Sequence, residues 1–237
     1  MNLGPKIIFN FTIPGLNIPV TISETITTTW AIMLGLTLFA YFGTRRLEKI
    51  PRGFQNFVEL LVDGLYSIVR QTMGEKKMRF APYIGSLFLF FACSNLITLT
   101  GIFGKSPTTD LNTTLAWALI TFFMIQYNGI KSKGIVGYLK GFLQPVPALL
   151  PLNIIGELAN PISLSFRPFG NILGGSVIMA LLYQLLSYLS TKMVGIPIFA
   201  VGIPAVLHIY FDLFSGVLQA FIFIMLTMVF VSSAIDE

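Results

Sequence analysis

A chain of 237 residues that is 54% hydrophobic and only 11% charged has too little polar surface to cover a soluble core, and its uncharged runs exceed the roughly 20 residues that span a bilayer. That excludes a freely soluble enzyme or binding module and points to a polytopic membrane protein. The formal net charge of +5 invites a nucleic-acid partner, but the placement of the basic residues along the chain accounts for it without one.

Residues 1–25 contain Pro5, Pro14-Gly15 and Pro19 with β-branched residues between them, which predicts an extended segment outside the membrane. These first residues lack a basic region followed by an apolar core and a small-residue cleavage site, so no removable signal peptide is expected. Residues 26–44 form the first span, with Trp30 and Tyr41 near its ends as interfacial aromatic anchors. It stops at Arg45, Arg46, Lys49 and Arg52.

Residues 54–73 place Phe57, Leu60, Leu61, Leu65 and Ile68 at helical spacing, with Gln55, Glu59, Asp63 and Arg70 at polar positions. This predicts an amphipathic helix lying along the interface. A second span follows at residues 81–103; the lone cysteine, Cys93, lies within it and reads as a packing residue. A third, short span is expected at residues 112–129. Lys131, Lys133, Lys140 and Pro145, Pro147 and Pro151 then mark a loop, with one short interfacial helix around Ile135 to Leu143. Two long apolar segments close the chain, 153–190 and 194–233. The first would measure about 57 Å as one helix, nearly twice the hydrocarbon thickness. Each is therefore broken or steeply tilted, and the short Thr191 to Pro197 connection makes them a hairpin.

Alternating the loops places the basic residues from Arg45 to Arg79 on one side with Lys131, Lys133 and Lys140, leaving Lys6, Lys105 and Lys192 opposite. The positive-inside rule then puts the N-terminus outside and the C-terminus inside. The expectation is a single all-α polytopic membrane domain with five membrane-crossing helical elements and one interfacial amphipathic helix.

Arg167 has no other basic residue between Lys140 and Lys192, and sits in an apolar stretch. An arginine near a bilayer centre costs roughly 2.5 to 3.5 kcal/mol on insertion scales, so it persists where it meets a carboxylate or lines an ion path. Glu157 and Asp212 are the acids within the last two apolar segments, which leaves room for a partner charge from another subunit. Along a straight helix Asn160, Ser163, Arg167, Asn171 and Gly174 share one face, and so do His208, Asp212, Gly216, Gln219 and Phe223. If both stripes face a common partner, Arg167, Asn171, Asp212 and Gln219 form an intramembrane polar group. The plainer reading of Asn160, Ser163 and Ser165 is interhelical hydrogen bonding that holds the bundle together, and His208 reads as a packed imidazole or a proton relay. Gly170 and Gly174 make a small-xxx-small pattern that lets another helix approach. Pro168 removes a backbone donor beside the arginine and predicts a kink.

The run from Ser163 through Arg167 to Asn171, the Leu218 to Phe223 run, the Thr108 to Thr114 stretch, Gln55-Asn56-Phe57 and Ser94-Asn95-Leu96, in this order, closely resemble the a subunit of F-type ATP synthases. The resemblance spans nearly the whole chain. It implies a non-catalytic stator subunit in a bacterial plasma membrane that exchanges protons or sodium ions with a rotating c ring through two half-channels, beside b stalk subunits and the rest of the complex. It implies that Arg167 is the essential arginine, that Asn171 and Gln219 are its polar neighbours, and that the last two helices lie tilted against the ring, with Gly170 and Gly174 at that contact. Three positions depart from many relatives: Pro168 follows the arginine where leucine is common, Ser176 stands where some have glutamate, and Asp212 where some have histidine. Asp212 is thus the expected half-channel carboxylate, and Glu157 stands near Asn153, which replaces an acid of some relatives. No phosphate-binding loop of the G-x-x-x-x-G-K-[ST] form and no metal-ligand cluster occurs, so no cofactor is expected and ATP chemistry is assigned to partner subunits. The reading of another class is a self-contained secondary transporter that binds an anionic substrate at Arg167.

Overall fold

The computed structural model describes residues 6–12, 19–45, 47–100, 106–144, 146–195, 204 and 207–236. The N-terminal segment expected to be merely extended pairs with itself: strands β1 (Ile7–Thr12) and β2 (Pro19–Ser23) form an antiparallel hairpin. Among the described residues the fold is therefore all-α only from Glu24 onward. Strand β2 runs straight into α1 (Glu24–Thr44), and the Glu24 amide donates to the Lys6 carbonyl at 2.9 Å, tying the base of the hairpin to the first turn of the helix.

Helix α2 occupies Phe54–Met73, the range expected for the interfacial helix. Its buried residues, Leu65, Val69 and Met73, cluster in the last three turns, while Phe57 and Leu60 stay exposed. Gly43 makes the junction with α1 possible, because a Cβ there would stand 3.1 Å from Val58 Cγ2. A 3-10 turn, Glu75–Phe80, leads into α3 (Ala81–Leu96), and a second 3-10 turn covers Ile97–Thr100. The last residues of the expected second span lie outside the described residues.

Helix α4 (Leu111–Gly141) covers the expected third span and continues through the segment expected to be mostly loop. It begins on Asp110, whose side chain caps the Asn112 amide at 3.0 Å. Gly134, at φ +71°, breaks the helical geometry and turns the last two turns back on the rest. Tyr138 then lies over Gly129, where a Cβ would come within 2.9 Å of Tyr138 Cε2.

Helix α5 (Leu150–Val194) is 45 residues long and passes through Pro161 and Pro168 without interruption. At 1.5 Å per residue it extends about 68 Å, more than twice the hydrocarbon thickness. Of the two alternatives open to the first long segment, breakage and inclination, α5 takes the unbroken form. The second long segment departs from regular α-geometry, with a π-helical stretch, Ile209–Phe214, preceding α6 (Ser215–Asp236). Most of the connection between the two segments lies outside the described residues.

Among the described residues, four stretches are long and apolar enough to cross a membrane: Glu24–Thr44, Glu75–Thr100, Pro147–Met193 and Tyr210–Asp236. Helix α4 falls outside this set because Gln126 and Asn128 dilute its apolar run. Helix α6 lies at the centre. It packs on α3 and α4, α4 packs on α5, and α5 meets α6 at few points. Ala220, Phe223, Ile224 and Met228 of α6 are fully buried, as is Phe91 of α3. At its far end Lys77, 9% exposed, donates to Ser232 Oγ at 2.6 Å and pairs with Asp236, so the buried ammonium fastens the end of α6 to the start of the second span.

Candidate functional site: two polar cavities and an unpaired arginine

The π-helical turn positions the first cavity. One extra residue in a helical turn rotates everything beyond it by about 100°, so the stripe read along a straight helix divides. His208 and Asp212 are half-buried and face a cavity of about 460 Å³ between α5, α6 and the end of α3. Gln219 is instead 4% exposed, on the face of α6 turned into the bundle, and its Nε2 has no partner among the described residues.

Within the cavity His208 Nδ1 lies 2.6 Å from Asp212 Oδ2, and His208 Nε2 lies 3.1 Å from the Tyr183 hydroxyl of α5. Asn171 and Ser176 line the same space. Asn171 Nδ2 donates to Ser215 Oγ at 2.7 Å, which ties α5 to the start of α6. Asn95 closes the opposite wall. Gly216 lets α3 approach, since a Cβ there would stand 3.2 Å from Asn95 Cβ, and Asn95 Nδ2 donates to the Gly216 carbonyl at 2.8 Å. Asn95 Oδ1 accepts from Thr108 Oγ1 at 2.7 Å, Ser106 donates to the Ser94 carbonyl, and the Ser106 and Thr108 hydroxyl oxygens lie 2.6 Å apart. Asn95, Ser106 and Thr108 are all buried, so this network holds its geometry away from water.

The second cavity is an open cleft of about 1050 Å³ between the start of α5 and the turned-back end of α4. Glu157, Asn153, Asn160, Tyr138 and Lys133 line it. Gln126 Nε2 donates to Glu157 Oε2 at 3.2 Å, and the Tyr138 hydroxyl donates to Gln126 Oε1. Burial, with the Glu157 charge as a second cause, pushes the Tyr138 phenol above its usual range against the opposing bond from Gln126. Asn153 Nδ2 ties α5 to the preceding loop through the Phe142 and Gln144 carbonyls, at 2.8 and 3.1 Å.

On α5 the two linings comprise residues from 152 to 160 and from 171 to 183. Between them Leu164, 3% exposed, packs with Phe91, Ala118, Ala220 and Phe223. Arg167 falls in this interval and is exposed, and among the described residues it makes no hydrogen bond or ion pair. Asp212 is bonded to His208 rather than to Arg167. The four-member group expected of Arg167, Asn171, Asp212 and Gln219 is thus not assembled: Asn171 and Asp212 share a cavity, Arg167 faces outward and Gln219 faces inward. A Cβ at Gly170 or Gly174 would meet nothing within 4 Å, so no described helix of this chain uses the close approach they permit.

Sequence reasoning did not single out Tyr183, Gln126 or Tyr138 as site residues. Tyr183 and Tyr138 carried no signal beyond apolar composition. Asn95 and Thr108 were noted only as parts of family-like fragments.

With this geometry in view, comparison with known proteins is decisive. The ATP synthase A chain family matches residues 26–232. The chain belongs to that family. "ATP synthase subunit a, sodium ion specific" of Propionigenium modestum is 36% identical, over 99% of this chain and 86% of that protein. "ATP synthase subunit a" of Moorella thermoacetica is 35% identical over 91% of this chain and 92% of its own length. "ATP synthase subunit a 2" of a Picosynechococcus strain is 35% identical over 91% and 87%. This ATP synthase A chain is therefore a multi-pass membrane subunit of the ATP synthase complex, whose role is in ion transport for ATP synthesis. Family membership removes the ground for the self-contained transporter reading.

Proposed function

We propose that this chain is the ion-translocating stator subunit of an F-type ATP synthase in a bacterial plasma membrane, in which Arg167 meets the carboxylates of a c ring. The observation that carries this is the exposed, unpaired Arg167 on α5, in the interval between two separate polar cavities. A buried or membrane-facing guanidinium needs a counter-charge, and the chain itself supplies none among the described residues. A carboxylate on each ring subunit answers that need.

In this reading α4 is the fifth crossing element, the N-terminus is outside and the C-terminus cytoplasmic, as the distribution of lysines and arginines requires. The Glu157 cleft, beside Lys133, is then the cytoplasmic half-channel. The Asp212 cavity is the outer one, with Asn171, Ser176 and His208 along its walls. The packed Leu164 cluster separates them, so an ion crosses only by riding the ring. A ring carboxylate is neutral while it faces lipid. As it nears Arg167 the positive charge lowers its pKa and drives release into one half-channel, and the same charge opposes a direct leak. Each elementary charge falling through 100 mV yields about 2.3 kcal/mol, and several per turn drive synthesis in the partner subunits. Gly170 and Gly174 let the ring's helices approach α5, the b stalk holds the subunit still, and the catalytic steps belong to other subunits.

The test is ion-driven ATP synthesis and ATP-driven pumping by the complex carrying Arg167→Ala, reconstituted in liposomes. Loss of both, with ATP hydrolysis by the soluble head retained, supports the reading. Intact coupled transport overturns it.

A further inference from the structure

The N-terminal hairpin buries neither of its faces against the rest of the chain along β1, where every residue from Ile7 to Thr12 is exposed. An isolated two-stranded hairpin is marginal in water, so its stability calls for another surface. The register divides its side chains. A bulge lies between Ile7 and Phe9; beyond it Phe9 pairs with Ile22 and Asn10 with Thr21. Alternation along a strand then puts Phe9, Phe11 and Ile22 on one face and Asn10, Thr12 and Thr21 on the other. Phe9 and Phe11 are 58% and 42% exposed, with ring centroids 6.1 Å apart, and they form a continuous aromatic surface. The hairpin is amphipathic, and on its apolar side Phe9 and Phe11 are bare while Ile22 is half-buried.

Its position names the occupant. Strand β2 ends at Ser23 and the first membrane-spanning stretch begins at Glu24, with no linker between them. The hydrogen bond from the Glu24 amide to the Lys6 carbonyl anchors the other strand to the same helical turn. The hairpin is therefore held at the level where α1, whose Trp30, Met33 and Leu34 are exposed, enters the bilayer. We propose that this hairpin lies flat on the membrane as an interfacial anchor, with Phe9, Phe11 and Ile22 in the lipid at the headgroup and acyl boundary and Asn10, Thr12 and Thr21 facing water. It fixes the depth and rotation of α1 from outside the span, as interfacial aromatic residues do at helix ends. The proposal depends on α1 spanning the membrane and is independent of the ion path.

The single native cysteine, Cys93, allows a direct test. In a Cys93→Ser chain assembled into its complex in liposomes, nitroxide labels are placed singly at Phe9→Cys, Asn10→Cys, Phe11→Cys and Thr12→Cys. Their collision rates with oxygen, which partitions into lipid, and with a water-soluble nickel chelate are then compared. Positions 9 and 11 are expected to favour oxygen and positions 10 and 12 nickel, a period-two alternation. Equal nickel access at all four sites overturns the proposal in favour of a solvated hairpin. Protection of 9 and 11 from both reagents overturns it in favour of a protein partner. A less disruptive variant, Phe9→Trp in a Trp30→Phe, Trp117→Phe background, gives a second reading: its fluorescence is expected to be quenched by lipids brominated at shallow acyl positions, and unquenched fluorescence counts against the anchor.

Discussion

His208 Nδ1 lies 2.6 Å from Asp212 Oδ2, at the start of the π-helical turn, while the other nitrogen of the ring reaches the Tyr183 hydroxyl on α5. The imidazole thus links the carboxylate of one helix to the phenol of the next, across the mouth of a polar cavity. It orients Asp212 and gives a proton two neighbouring sites. In the proposed ion path Asp212→Ala is expected to lower ion-driven ATP synthesis by about tenfold or more, equivalent to about 1.4 kcal/mol on the limiting step. Rates in liposomes containing the reconstituted complex measure it, and an unchanged rate removes Asp212 from the path.

Tyr183→Phe keeps the ring and removes only the hydroxyl that holds His208 Nε2. A severalfold fall in the synthesis rate, smaller than that of Asp212→Ala, is expected, with assembly unchanged. A rate equal to that of the unsubstituted complex would show that the tyrosine is only packing.

Gly216 and Asn95, on the wall of the same cavity, offer a stability test. Gly216→Val forces β-branched bulk against Asn95 Cβ, 3.2 Å from an ideal Cβ, and overpacking of this kind costs about 1 to 3 kcal/mol. Asn95→Leu leaves the buried Thr108 hydroxyl without its acceptor, also at about 1 to 3 kcal/mol. Thermal unfolding of the purified subunit in detergent is expected to shift downward for both variants.

At Gly134 the backbone has φ +71° and ψ 162°, a conformation open essentially only to glycine, so Gly134→Val is strained wherever its side chain points, by roughly 1 to 3 kcal/mol. The strain favours straightening α4, which withdraws Tyr138 from Gln126 and opens the Glu157 cleft. A label on residue 138 is expected to move away from α5, measurable as a longer distance to a second label on the exposed face of α5.

Gly170→Leu and Gly174→Leu each add a Cβ that meets no other part of the described chain within 4 Å. They are expected to leave thermal unfolding of the isolated subunit unchanged and to lower the rate of coupled synthesis in the complex. Equal effects on both would place the two glycines at an internal contact.

Much of the architecture was legible along the chain because hydropathy and charge are local. The α2 boundaries, the start of α3 and the apolar course of α5 follow from the spacing of apolar residues and from basic clusters beside them, whereas whether α5 is broken did not. The site was less legible. Arg167 announced itself, because a lone cation in an apolar run is expensive wherever the chain folds. The partners of Asp212 did not, because the stripe containing Gln219 was read on a straight helix and the π turn rotates the two apart. The hairpin also escaped, since the pairing of Phe9 with Ile22 joins residues that local hydropathy does not relate.

The sequence by itself determined a polytopic membrane subunit of the ATP synthase A chain family, its apolar stretches, and Arg167 as the anomalous charge, since transfer cost and periodicity depend on neighbouring residues alone. Tertiary structure alone decided that His208, Asp212 and Tyr183 share one cavity, that Glu157 lies in another, that Leu164 packs between their linings and that Gln219 is turned inward. Those relations depend on helix phase, on the turn at Gly134 and on close approach at Gly216, which arise only when segments far apart in the chain pack against one another.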